Sequence, residues 1–132
     1  VVVGNPGKII KYNDQNLGIY PIWICPIKKI KNDEKIFSPD NILNSEYIID
    51  VGIYGKPTLP TCNLEDFYEV NHNLENFIHQ NCDGMKVFET SCYYSRHEFY
   101  KYYDIKKYNK LRTKYNAEKI FPEMYDKIKF YL

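Results

Sequence analysis

An α+β fold, mostly an antiparallel sheet with helices packed on one face, is the architecture this chain predicts. Three observations lead to it. Short aromatic and β-branched runs come early, a long amphipathic segment with its own start and stop signals follows, and the last third is helical in spacing. Val1-Val-Val-Gly reads as the middle or exit of a strand, and the first residue is not Met, so the chain is expected to be a piece of a longer protein, a single partial domain over 1–132. Gly4-Asn-Pro-Gly-Lys8 reads as a turn. A phosphate loop needs four residues between its glycines and a Ser or Thr after the Lys, whereas here there are two residues and then Ile9.

Gly18 to Cys25 is a strand closed by Pro26, with Pro21 at its start or on an edge because proline cannot donate to a ladder. Lys28 to Asn44 is polar, carries turn chemistry at Ser38-Pro-Asp-Asn and reads as a loop. Glu46 to Gly55 is a second strand. Alternation sets Tyr47, Ile49, Val51 and Ile53 on one face and Ile48 and Asp50 on the other, while Gly52 and Gly55 mark a bulge or a close approach. Asn63 is a helix N-cap with Asp66 three residues on, and Phe67, Val70, Leu74, Phe77 and Ile78 recur at helical spacing until Asp83-Gly84. Met85 to Tyr93 is strand-like. Ser95-Arg-His-Glu98 has the form of a capping box, starting a helix whose inner face is Phe99, Tyr102 and Tyr103. Tyr108, Leu111 and Tyr115 form the inner face of the next, and Pro122 fits the first turn of a last helix carrying Tyr125, Ile128 and Leu132.

Composition excludes several function classes. The formal charge of +1 hides an asymmetry: residues 1–100 hold nine basic and thirteen acidic side chains, and 101–132 hold nine and four. These basic residues are mostly single Lys between Tyr and Leu, a solvated helix face rather than a nucleic-acid patch. The four cysteines, spaced by 37, 20 and 10 residues, contain no CxxC and no His at zinc-ligand spacing, so metal binding is not expected and the thiols should be reduced. No G-x-G-x-x-G occurs among the six glycines. No apolar run approaches the roughly 18 residues that cross a bilayer, so this segment is expected to be soluble or peripheral.

The chemistry-bearing candidates are few. His72, His79 and His97 fall in no triad pattern, and surface or capping roles are their default. Asp50, inside an apolar strand, must be paired, hydrogen-bonded or neutralised. A structural ion pair to Arg96 or Lys56 is its first reading and a catalytic acid its second. Tyr93, Tyr94 and Arg96 sit where a strand end feeds a helix, a place from which side chains project into clefts. Fourteen Tyr are also available as packing residues.

Four tracts in fixed order carry a resemblance: Tyr20-Pro-Ile-Trp-Ile-Cys-Pro26, Tyr47 to Pro57, Cys92-Tyr-Tyr-Ser-Arg-His-Glu-Phe99, and Tyr108 to Ile128 with its Leu-Arg-Thr-Lys-Tyr. Over roughly residues 19 to 130 the chain resembles the C-terminal cap region of the delta(24)-sterol reductase family, FAD-linked oxidoreductases of the vanillyl-alcohol oxidase architecture. Cys92, Tyr93, Arg96, Glu98 and Phe99 match that family's version of the segment, and Asn116-Ala117 replaces an Asp-Pro that many members carry.

The resemblance implies a parent in which NADPH reduces FAD and the flavin reduces a sterol side-chain double bond at the endoplasmic reticulum membrane. FAD would be bound mainly by another domain of the same parent chain. It implies Tyr93, Tyr94 and Asp50 as candidate acids, Arg96 and Arg112 near the cofactor, and Trp23 and Tyr54 on a flat aromatic substrate surface. The alternative is a cofactor-free binding module retaining the cap fold, and the coding sequence upstream of Val1 separates the two. A nucleic-acid-binding role has little support.

Overall fold

A computed structural model of the chain describes residues 2–29, 46–58 and 63–131. The loop expected at Lys28 to Asn44 therefore lies almost wholly outside the described residues, as do Cys62 and Leu132. The elements in order are β1 (Val2–Val3), α1 (Pro6–Asn16), β2 (Ile22–Lys28), β3 (Tyr47–Ile53), α2 (Leu64–Asn81), β4 (Gly84–Met85), α3 (Arg96–Tyr102), α4 (Ile105–Lys114), a 3-10 turn (Ala117–Lys119) and α5 (Met124–Ile128). The class is α+β. The four strands form one antiparallel sheet in the order β2-β3-β1-β4.

β2 pairs with all of β3, from Ile22 opposite Ile53 to Lys28 opposite Tyr47, and so continues through Pro26 instead of stopping there. The physical reason is position: β2 is an edge strand, and the missing N–H of a proline costs nothing on a side with no neighbour. Gly52, opposite Trp23, is required by close approach. A Cβ there would lie 2.6 Å from Tyr54 Cε2 and 3.1 Å from Trp23 Cβ, because the Tyr54 ring folds across the strand at that point.

The Gly4–Lys8 segment opens a helix rather than making only a turn. Pro6 takes the first helical positions, where its absent N–H is not missed, and α1 runs to Asn16. Its buried stripe is short, Ile9 and Asn13, and Asn13 is polar, which is why apolar periodicity did not reveal the helix. Asn13 Nδ2 donates to the Ile19 carbonyl at 2.9 Å and pins the chain that turns into β2.

α2 starts as expected, with Asn63 Oδ1 accepting from the Asp66 N–H at 2.9 Å. Ile78, with Leu74 and Phe77 beside it, packs against Val3, Ile9, Val51 and Cys82 to form the first buried cluster. The second cluster gathers Ile48, Met85, Cys92, Tyr94, Phe99 and Tyr103, with Tyr125 and Ile128 packed on it. Each fully buried Ile or Phe in these clusters contributes about 1.5–3 kcal/mol of apolar burial.

Three expectations need correction. Of Met85 to Tyr93 only Gly84–Met85 pairs within the sheet; Cys92 instead meets the C-terminal tail, its N–H donating to Ile128 O at 2.7 Å and its carbonyl accepting from Phe130 N at 2.8 Å. In α4 the inner face is Tyr108 and Arg112, while Leu111 and Tyr115 are exposed. The helix is turned by one residue because the Arg112 guanidinium finds a ring of backbone carbonyls inside. Pro122 lies before α5 rather than in its first turn, which begins after Glu123.

Candidate functional site

α2 buries two stripes, and the second is polar. Tyr68, His72, Glu75 and His79 follow one another at spacings of four, three and four residues, on one side of the helix, facing Cys92–Tyr94 and α3. Glu75 is 2 % exposed. Lys86 Nζ lies 2.5 Å from its Oε1 and also donates to the Ser91 carbonyl, and the Tyr93 N–H donates to both carboxylate oxygens at 3.2 and 3.1 Å. Burial pushes the Glu75 carboxyl up from the usual range, and Lys86 and the Tyr93 N–H oppose that push. The Cys92 thiol, 3.8 Å from Oε2, is pushed up to about 12 by burial and by this carboxylate, so it is an unreactive thiol.

The stripe continues on both sides. Tyr68 Oη donates to the Tyr93 carbonyl at 2.8 Å, so Tyr93 is clamped at its N–H by Glu75 and at its C=O by Tyr68. His72 Nε2 lies 3.1 Å from Glu98 Oε1, the same Glu98 whose Oε2 receives the Ser95 N–H at 2.8 Å in the capping box that starts α3. Burial works to raise the Glu98 carboxyl, but the hydrogen bonds from Ser95 and His72 outweigh it and hold Glu98 below its ordinary value. His79 stacks on Tyr102 with ring centroids 3.9 Å apart, and burial lowers its pKa to about 4. Neither His72 nor His79 is the surface histidine expected of an unpatterned position.

The predicted site residues fall into separate places. Tyr94 is 2 % exposed, wedged against His79 and Tyr102 with centroids 5.7 and 5.3 Å away. It does not project into a cleft. Its hydroxyl and His79 Nε2 are buried without a hydrogen-bond partner among the described residues. Burial, then the Glu75 charge, pushes the Tyr94 hydroxyl well above the ordinary tyrosine value and keeps it neutral. Tyr93, 7 % exposed, lines a groove of about 200 Å³ with Leu17, Ile19, Ile53, Phe67 and Leu74. Lys86 Nζ lies 4.8 Å from the centre of its ring.

Arg96 pairs with Glu123 and, at 3.3 Å, with Asp126, and its guanidinium lies over the Tyr100 and Tyr125 rings, tying α3 to α5. It is not the partner of Asp50. Arg112 is buried and donates to the carbonyls of Pro122 at 3.0 Å, Phe121 at 2.7 Å and Ala117 at 3.4 Å, closing the turn after α4. Its fork is spent on the protein itself.

Trp23 and Tyr54, 60 % and 62 % exposed, both border Gly52 on one face of the sheet, the face that Asp50 shares opposite Cys25. Thus Trp23, Tyr54 and Asp50 share a sheet face, Tyr93 and Tyr94 are neighbours elsewhere, and the two arginines serve α5 and the turn after α4. Sequence reasoning missed Tyr68, Glu75 and Lys86. The signal was the Tyr68-His72-Glu75-His79 spacing, which an isolated amphipathic reading of α2 assigns to solvent.

Among the described residues no three His, Cys, Asp or Glu side chains converge as metal ligands, and no helix is long and apolar enough to cross a membrane. Cys25, Cys82 and Cys92 are free thiols.

The chain is 32 % identical over 113 residues, 86 % of its length, to a protein of Homo sapiens named delta(24)-sterol reductase. The chain resembles delta(24)-sterol reductase. The reductase of Rattus norvegicus is 30 % identical over the same 113 residues, and that of Pisum sativum 27 % identical over 136 aligned positions covering 93 % of the chain. The match covers 21 % of the human reductase and 24 % of the pea one, so the chain spans about a fifth to a quarter of the curated relatives it matches. No protein-family model and no solved structure matches it.

Proposed function

We propose that this chain is the cap portion of a flavin-dependent, NADPH-linked reductase that saturates an isolated C=C bond in the side chain of a sterol, its parent working at the endoplasmic reticulum membrane. The observation that carries the reading is the 32 % identity to a delta(24)-sterol reductase across 86 % of the chain. In that reaction one alkene carbon receives hydride from reduced flavin and the other receives a proton, because an unpolarised double bond does not hold the charge that hydride addition alone would leave.

The terminal nitrogens of Arg96 and Arg112, the two candidates for contact with FAD, are engaged by protein acceptors. In this proposal the flavin is held by another part of the parent, and this chain supplies the wall over the substrate. Tyr93 is the proton donor of first choice. Its ring borders a groove, its backbone is clamped on both sides, and burial keeps its hydroxyl protonated. Tyr94 and Asp50 are second choices, and the Trp23–Tyr54 face is the apolar surface offered to a ring system or to the flavin-bearing part.

The test is NADPH-dependent reduction of a sterol carrying a side-chain double bond by the full-length parent, followed by mass spectrometry of the sterol. The reading predicts a product two mass units heavier. A folded, flavin-loaded parent that leaves the alkene untouched would refute it.

A further inference from the structure

The groove beside Tyr93 has a composition that narrows what it can hold. Its walls are Leu17, Ile19, Ile53, Phe67, Leu74 and the Tyr93 ring, and its volume is about 200 Å³. A second, more polar cavity of about 100 Å³ shares Ile53, Leu74, Asn71, Lys86 and Thr90 with it and reaches Tyr54. Of the polar groups at the groove's edge, Lys86 binds Glu75 and the Ser91 carbonyl and Asn71 Nδ2 donates to Phe67 O at 2.7 Å, while Thr90 adds a hydroxyl to the rim. The rest of the groove's lining is hydrocarbon or aromatic.

Size argues in the same direction. An apolar cavity of about 150 Å³ accepts a benzene-sized ligand, whereas pockets that enclose a whole drug-sized molecule run from about 300 Å³ upward. The groove therefore suits a short branched hydrocarbon and not four fused rings.

We propose that this groove seats the branched aliphatic end of a sterol-class lipid, with the rings of the lipid left outside it. The identity of the lipid rests on the reductase reading above; the placement rests on the groove. An alkene in that tail lies against the Tyr93 side chain, which gives the proposed acid its reach, and the narrowness of the groove selects against tails bulkier than a branched chain.

The experiment uses the full-length parent and a sterol bearing a photoactivatable diazirine at the end of its side chain, with the labelled residues mapped by mass spectrometry. The expected result is labelling of Ile53, Leu74 or Tyr93. Filling the groove with Leu74→Trp lowers that labelling at least tenfold, while Leu111→Trp on the exposed side of α4 leaves it unchanged. Label that lands elsewhere on the unmodified parent, or no label at all, overturns the proposal without need of any variant. Labelling in the groove by a parent that reduces nothing sinks the reductase reading and keeps the groove; reduction with the label elsewhere does the reverse.

Discussion

Two regions of this chain are built from the same residue types and do opposite things. In the seam between α2 and the Cys92–Tyr103 stretch, tyrosines, histidines and a Glu–Lys pair are shut away from water, and most of their polar atoms are satisfied inside the protein. On the sheet face around Gly52, Trp23 and Tyr54 are left more than half exposed. The difference lies in whether a helix arrives with partners. α2 brings four polar or aromatic side chains on a second stripe, whereas β2 is an edge strand whose outer side meets nothing among the described residues. The seam is closed and self-satisfied, whereas the open surfaces, sheet face and groove, are where our proposal places a substrate or another part of the parent.

The sharpest break in that contrast is Glu75→Ala. It strands Lys86 against the Tyr93 ring and leaves the Tyr93 N–H without its acceptor, so unfolding in denaturant should show a loss of about 3–5 kcal/mol. A loss below about 1 kcal/mol would mean that the seam is wetter and less committed than its geometry says.

Acid should loosen the same seam. Burial lowers the His79 pKa from its ordinary 6.5 to about 4, so the folded state disfavours its proton. The stability tied to its neutral form is fully present above pH 6.5 and is lost as pH falls from there toward 4, by an amount on the order of 2–3 kcal/mol. His79→Phe, which keeps the stack on Tyr102, should flatten that part of the stability profile. An unchanged profile in the variant would contradict the assignment.

Smaller effects test the ends of the comparison. Ser95→Ala removes one half of the capping box and should cost about 1 kcal/mol by thermal denaturation. Trp23→Ala on the open face should stay within about 0.5 kcal/mol of the parent sequence in the same measurement, since an exposed ring on an edge strand buries little. A large loss there would show that the open face is packed against something.

How much of this was legible beforehand follows from how local each feature is. The Asn63 cap, the Ser95–Glu98 box and the β3 alternation depend on residues within a few positions of one another, and sequence spacing states them directly. α1 escaped because Asn13 sits on its buried stripe and spoils the apolar period, its amide nitrogen donating to the Ile19 carbonyl. The inner face of α4 was misplaced because an arginine, normally read as exposed, finds three carbonyls contributed by the turn that follows it. Glu75 and His79 look like solvent residues on α2 until the Cys92–Tyr103 stretch is laid against them, and that pairing joins residues far apart in the chain, Glu75 to Cys92 being 17 positions. For the site, the tracts that carried the family resemblance pointed at Tyr93 and at the Trp23–Tyr54 surface, but spacing alone did not separate a sealed Tyr94 from a groove-lining Tyr93.

That separation gives the most direct test of the central claim, that function lies on the open surfaces while the seam only supports them. In the full-length parent, sterol reduction and thermal stability would be measured for Tyr93→Phe beside Tyr94→Phe. The account predicts that Tyr93→Phe lowers kcat by about 100-fold or more with its melting temperature unchanged, while Tyr94→Phe, which deletes a hydroxyl without a partner, keeps its activity within a few-fold and is no less stable. Loss of turnover in Tyr94→Phe with full activity in Tyr93→Phe would contradict it.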